Sequence, residues 1–296
     1  MIWEDAVSVV DDDAPPTTGV WAEVVGQPSA ARVLSAAARA ARSSDVGRTS
    51  ASAMTHSWLF TGPPGSGRSV AARAFAAALE CSHPDGVPGC GECSGCRTVL
   101  GGTHGDVRTV VPEGLSISVA EMRSLVQAAS RRPTTGSWRV VLIEDSDRLT
   151  EGASNALLKA IEEPPDNTVF LLCAPSDHPE DVSVTIRSRC RVVSLSTPLP
   201  GPIAEVLRER DGVPDDRALW ASSVCGGHIG RARRLATDPD ARQRRESVLS
   251  VPRGLRRFSD VFTAANGLVR AAETEAAADS AYTAAVVTLA SSAASA

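Results

Sequence analysis

Residues 60–70 read FTGPPGSGRSV. Gly62 and Gly67 have the spacing of a phosphate-binding loop, G-x-x-x-x-G-K-[ST]. Ser69 takes the hydroxyl position, where a side chain would bind Mg²⁺, and Arg68 stands where the motif has lysine. Such a loop aims backbone N–H groups at phosphate oxygens from a strand-to-helix turn, and Pro63, Gly65 and Ser66 fill its interior here. Arg68 keeps the charge but not the shape. Lysine is a slim point charge that reaches the β- and γ-phosphates, whereas arginine is a wider planar fork. Lys159 is the one lysine among 30 basic residues, so the chain favours arginine generally, yet not everywhere. Two readings stay open: a nucleotide site with an altered contact, and a glycine-rich turn that binds nothing.

A second signal is LIEDSD, residues 142–147. Mg²⁺-dependent nucleotide hydrolases place an aspartate at such a strand end, often followed by glutamate. Here the order is Glu144 then Asp145. The extra methylene of Glu144 displaces a carboxylate from the magnesium shell, so the pair reads as a degenerate one facing solvent. The cysteines are the sharpest local pattern. Cys81, Cys90, Cys93 and Cys96 give C-x8-C-x2-C-x2-C, interleaved with glycines that allow tight turns. Four thiolates so spaced suit a tetrahedral, structural Zn²⁺ with no open position for catalysis. Disulfides and free thiols are the rival readings, and a reducing cytoplasm disfavours disulfides.

The elements that must hold these residues follow from periodicity. Strand patterns fall at 57–61, 106–111, 139–143, 168–172 and 191–195, helical patterns at 69–80, 119–130 and 151–163 lie between them, and another helical pattern at 29–42 precedes the first. Ser118 and Glu121 form a capping box, and Pro164-Pro165 stops the last of these helices. Alternation of this kind predicts an α/β fold with a parallel sheet and helices on both faces. After Pro198 only helical patterns remain, at 203–210, 217–224, 230–237 and 259–279. Four segments result: an acidic, disordered leader (1–19), the α/β domain (20–197) with its cysteine insert (81–96), a helical lid (198–252), and a C-terminal region (253–296). A polar linker covers 43–56.

The 296 residues suffice for two compact domains, and 43% hydrophobic with 22% charged residues is ordinary for a soluble globular protein. A net charge of -5 leaves nucleic-acid contact to local patches, such as Arg231, Arg233, Arg234, Arg242, Arg244 and Arg245. No apolar run approaches a membrane span, and the acidic start lacks the basic region of a secretory signal, so the expected location is cytoplasmic.

The order of signals is specific: VVGQ, the glycine loop, the four-cysteine insert, VVLIEDSDRLT, NALLKAIEEPP, then SRC at 188–190. Over roughly residues 20–250 it resembles the AAA+ subunits of the bacterial clamp loader, and among them the delta-prime subunits of DNA polymerase III. That resemblance implies a P-loop sheet of strand order 5-1-4-3-2 and a three-helix lid. It implies a stator in a hetero-pentamer with motor and delta subunits, helping to place the sliding clamp on primed DNA during replication. Relatives of this kind often have decayed ATP sites, so little or no ATPase is expected, and ATP with Mg²⁺ at Gly62–Ser69 is doubtful. The arginine of SRC, Arg189, would project into the neighbouring subunit's ATP site. The motor subunits' lid arginine falls at Gly230, with Arg231 one residue away. Ser176 stands where a polar sensor is sought. Polymerase chemistry would belong to the holoenzyme and not to this chain. Relatives add a helical collar, of which 253–296 reads as a truncated or divergent remnant with apolar positions partly exposed. Two alternatives remain: an ATP-hydrolysing motor with Arg68 in place of lysine, and a zinc-dependent DNA-binding module.

Overall fold

A computed structural model describes residues 15–42, 54–112 and 114–273. The leader up to residue 14, most of the polar linker (43–53) and the end of the last predicted helix (274–279) lie outside the described residues. Five strands form one parallel sheet: β1 (Ser57–Thr61), β2 (Val107–Val110), β3 (Arg139–Ile143), β4 (Thr168–Ala174) and β5 (Arg191–Ser194). Their order is β2-β3-β4-β1-β5, the predicted one. The helices are α1 (Pro28–Arg42), α2 (Arg68–Leu79), α3 (Ser94–Leu100), α4 (Val119–Ala129), α5 (Glu151–Glu162), α6 (Val184–Arg187), α7 (Pro200–Glu209), α8 (Asp215–Val224), α9 (Ile229–Thr237) and α10 (Pro239–Gly254), with helical backbone again over 258–273.

Period-2 alternation in the strands feeds two cores. Trp58, Phe60, Leu142 and Leu171 point into the layer made with α1 and α2. Leu59, Ile143, Phe170 and Leu172 point into the layer made with α4 and α5. Both faces are dry, which is why the central strands read as continuous apolar runs. The strand that alternates least with polar residues, β4, is buried along its whole length.

Compactness divides the chain between Ala232 and Arg233, inside α9. The first unit holds the sheet and the helices through α8. In the second, Asp238 caps α10, and Arg234 and Arg244 reach its carboxylate at 4.0 and 3.3 Å. Arg242 donates to the carbonyls of Leu235 and Ala236. Much of the arginine cluster is therefore engaged within its own unit. Phe258 and Phe262 pair edge to face and are 81% and 63% exposed.

A buried polar knot holds the loop that leads into β3. Asp106 accepts from the N–H groups of Thr134, Thr135 and Gly136, and Glu80 from those of Ser137 and Trp138. Two carboxylates thus collect five consecutive backbone donors, and Arg139 pairs with Asp106 at 3.0 Å. Burial works against the charge of Asp106, but the loop N–H groups and the Thr134 hydroxyl outweigh it and hold its pKa at about 2. Burial, with the nearby Asp106 charge, pushes Glu80 up to about 7. Because the Asp106 pKa is depressed on folding, its stabilisation is present above the ordinary aspartate range and fades as pH falls toward 2. Asp106→Asn should cost about 3–5 kcal/mol at pH 7 by leaving Arg139 unpaired. Urea unfolding of both proteins should show that gap narrowing below about pH 4.

Candidate nucleotide and metal sites

The glycine loop sits where β1 ends, at the carboxyl edge of the sheet. The Gly62 N–H donates to the Pro175 carbonyl, and a Cβ on Gly62 would lie 2.4 Å from the Leu195 carbonyl, so only glycine lets the loop pass here. Gly65 has φ of 89°, and a Cβ there would meet His228 at 3.0 Å. Gln27, from the VVGQ stretch, is buried and clamps the loop from outside: its amide donates to the Ser66 carbonyl and accepts from the Ser196 N–H. A cavity of about 380 Å³ opens above, lined by the loop, Gln27, Pro198, His228 and Gly230. Gly67 begins α2 without a side-chain cap, and the Ser66 hydroxyl is buried with no hydrogen-bond partner. These two features suit an anion.

The cation side of the site is different. Arg68 folds back, donating from Nη1 to the Gly62 carbonyl of its own loop, and its Nη2 lies 3.9 Å from Asp145. Its side chain is only 14% exposed. Glu144 pairs with Arg73 at 3.4 Å, and Asp145 also with Arg148 at 3.8 Å. Both carboxylates of the acidic pair are thereby occupied by guanidinium groups, where a magnesium site would need them open. Ser69 lines the cavity beside Arg68. The helix start and the Ser66 hydroxyl thus offer an anion site, while Glu144 and Asp145 each face a guanidinium. Arg231, the sensor candidate beside Gly230, turns toward the Cys225 carbonyl, and the Ser176 hydroxyl is bound to Asp181 at 2.6 Å.

The four predicted cysteines converge. Their sulfur atoms all lie within 4.8 Å of one another, and Cys81 and Cys93 are 3.9 Å apart. A tetrahedron with metal–sulfur bonds of about 2.3 Å needs sulfurs about 3.8 Å apart. The N–H groups of Cys93 and Cys96 donate to the sulfurs of Cys90 and Cys93. Burial pushes the Cys93 thiol up, but the N–H of Cys96 and donors from Ser82 overcome it and hold the pKa at about 5. Cys96, the most enclosed, is pushed up by burial. A cluster of this donor chemistry could hold a metal ion. The insert is anchored rather than loose: Trp21 Nε1 donates to the Pro88 carbonyl, Val20 N–H to Gly89, and Arg42 to the Cys81 carbonyl. The other three cysteines are separate; Cys173 and Cys225 are buried and Cys190 is half-buried.

Arg189 occupies the other edge of the sheet. It lies two residues before β5, whose first residue, Arg191, pairs with Trp58 near the start of β1. The glycine loop follows the end of β1. Parallel strands of this length separate the two by about 15 Å. Arg189 is 38% exposed; its Nη2 meets Glu162 at 2.8 Å and its Nη1 the Thr185 carbonyl at 3.0 Å. Sequence alone singled out Arg189 and not Glu162, because no spacing links the end of α5 to the turn before β5. The Arg68 fold-back, the Gln27 clamp and the Glu80–Asp106 knot were equally invisible, since each joins distant parts of the chain or depends on a rotamer.

Fold and site together define an α/β protein of the AAA+ type. The chain is similar to a solved structure of a RuvB mutant from Thermotoga maritima, with TM-score 0.51 at 19% identity over 86% of this chain and 73% of that one, which speaks to the fold alone. A family model described as DNA polymerase III, delta subunit, matches residues 46–198, more than half of the chain. DNA polymerase III subunit delta' of Pseudomonas aeruginosa is 35% identical over 206 residues, covering 68% of this chain and 62% of that protein. Its Escherichia coli K12 counterpart is 34% identical over 206 residues, covering 67% and 61%. The chain belongs to this DNA polymerase III family, with the delta-prime subunits. It spans somewhat over 60% of the length of these relatives. Among the described residues no helix is long and apolar enough to cross a membrane.

Proposed function

We propose that this chain is a stator of a clamp loader: it assembles with motor and delta subunits, takes part in loading the sliding clamp onto primed DNA, turns over little or no ATP itself, and lends Arg189 to a neighbour. The observation that carries this reading is the separation of Arg189 from the chain's own loop by the length of a strand. An arginine so placed can meet a nucleotide only on another subunit. There it would stabilise charge on the transferred phosphoryl group, an effect worth roughly 10³ to 10⁵ in rate. The engagement of Arg68, Glu144 and Asp145 with one another's neighbours supports the quiet role of the chain's own pocket. It weighs against the self-sufficient motor. The internal pairing of Arg234, Arg242 and Arg244 weighs against the DNA-binding module.

In the cysteine insert the proposed ion is a structural Zn²⁺ held by Cys81, Cys90, Cys93 and Cys96. It would close a loop whose backbone is built from glycines at left-handed angles and tie it to the end of α2. Its chemistry is that of a cross-link, with all four positions taken by sulfur.

Two experiments test the proposal. DNA- and clamp-stimulated ATPase of the reconstituted complex should fall about a hundredfold at the dependent site with Arg189→Ala, while the complex still elutes intact on sizing; unchanged turnover in an intact complex would contradict the trans role. Metal analysis should give about one zinc per chain, lost in Cys90→Ser, with a lower melting temperature after chelation. Four titratable thiols without metal, and a melting temperature blind to chelator, would exclude the site.

A further inference from the structure

The Arg189 guanidinium is not an empty fork. Its Nη1 donates to the Thr185 carbonyl at 3.0 Å and to the Ser188 hydroxyl at 3.3 Å, and its Nη2 meets the Glu162 carboxylate at 2.8 Å. Both arms are therefore taken by acceptors of the same chain. A phosphate that binds the fork in bidentate fashion must displace at least one of them. The three acceptors differ in how firmly they hold. Thr185 and Ser188 belong to the same short turn as Arg189, so they move with it. Glu162 comes from elsewhere, the end of α5, and its side chain is 45% exposed. An ion pair this exposed is weak and exchanges readily with solvent.

We propose that Glu162 is a parking carboxylate for Arg189: it neutralises and restrains the guanidinium until a neighbour's nucleotide displaces it. This inference rests on the trans role of Arg189 given above. The ligand that competes is a nucleoside triphosphate on the adjacent subunit, recognised by a phosphoryl group carrying more negative charge than a carboxylate. The turn itself is steadied independently, because the N–H groups of Arg187, Ser188 and Arg189 donate to the carbonyls of Ser183, Val184 and Ile186, and the Ile186 side chain is buried. Release of Glu162 thus frees the guanidinium without loosening the turn that carries it. Glu162 is a positioning residue: it touches Arg189, not the nucleotide, and its effect must pass entirely through Arg189.

That dependence gives the test. The complex is reconstituted with wild type, Glu162→Gln, Arg189→Ala and the double variant, and ATPase is measured without DNA across ATP concentrations. An exposed pair is worth up to about 1 kcal/mol, so E162Q should raise this basal ATPase about two- to fivefold at subsaturating ATP. In the Arg189→Ala background the same change should do nothing. Glu162→Ala, read in the same way, covers the case in which glutamine itself holds the guanidinium. If both Glu162 variants match wild type while Arg189→Ala lowers turnover, the parking role is wrong and the trans arginine stands. If a Glu162 variant acts equally with and without Arg189, the residue works by another route and the inference is overturned. If Arg189→Ala changes nothing in an intact complex, both fall together.

Discussion

The contact on which the candidate site turns is a single arginine bound to its own loop. Arg68 donates to the Gly62 carbonyl and leans toward Asp145. A lysine at this position has no second arm and ends in a compact ammonium, so it lies over the loop and faces the phosphates. The planar fork instead finds an acceptor within its own chain. Once it does, a positive charge stands beside the acidic pair, and Asp145 is drawn to guanidinium groups on two sides. The remaining apparatus of a phosphate site persists: the uncapped start of α2, the buried Ser66 hydroxyl and the cavity above. Under the proposed reading, this site keeps its shape and loses its cation chemistry through one side chain.

The parallel sheet turns this into a division of labour. Its carboxyl edge bears the glycine loop and the acidic pair, its amino edge the SRC turn and the end of α5. The two edges lie a strand's length apart within one chain, and under the proposed reading each would face a different neighbour. On this account the chain contributes through its amino edge. The rest of the first unit holds the two edges in register. Both faces of the sheet are sealed by separate apolar layers, and the Glu80–Asp106 knot fixes the loop before β3 by its backbone. Glu80 immediately precedes Cys81, so the same knot anchors the stem of the cysteine insert.

Much of the fold was legible because its signals are local. The central strands β1, β3 and β4 were apolar runs, helices α1, α5 and α7 had a 3.6-residue stripe, and Ser118 capped α4 as its spacing implied. The strand order came from the resemblance and agrees with the sheet. The four cysteines were legible for the same reason: their spacing alone limits where the sulfurs can go. What was missed was short or non-periodic. Helix α3 is only about two turns long and begins at the end of the insert, started by the Cys93 sulfur accepting from the Cys96 N–H. Helix α10 has few apolar positions and carries Pro252, so no stripe announced it. The contacts of Arg68, Gln27 and Glu162 bind side chains to carbonyls, or to carboxylates many residues away, which sequence spacing does not encode.

The most direct measurement is calorimetric titration of the full chain with ATP and Mg²⁺, beside Arg68→Lys as a control for the loop. The account predicts no saturable binding by the wild-type chain up to about 1 mM, an affinity weaker than roughly 4 kcal/mol. Saturable, magnesium-dependent binding at micromolar concentrations would contradict it, because Arg68 would then leave the Gly62 carbonyl and Asp145 for phosphate, and the chain would hold a working nucleotide site of its own.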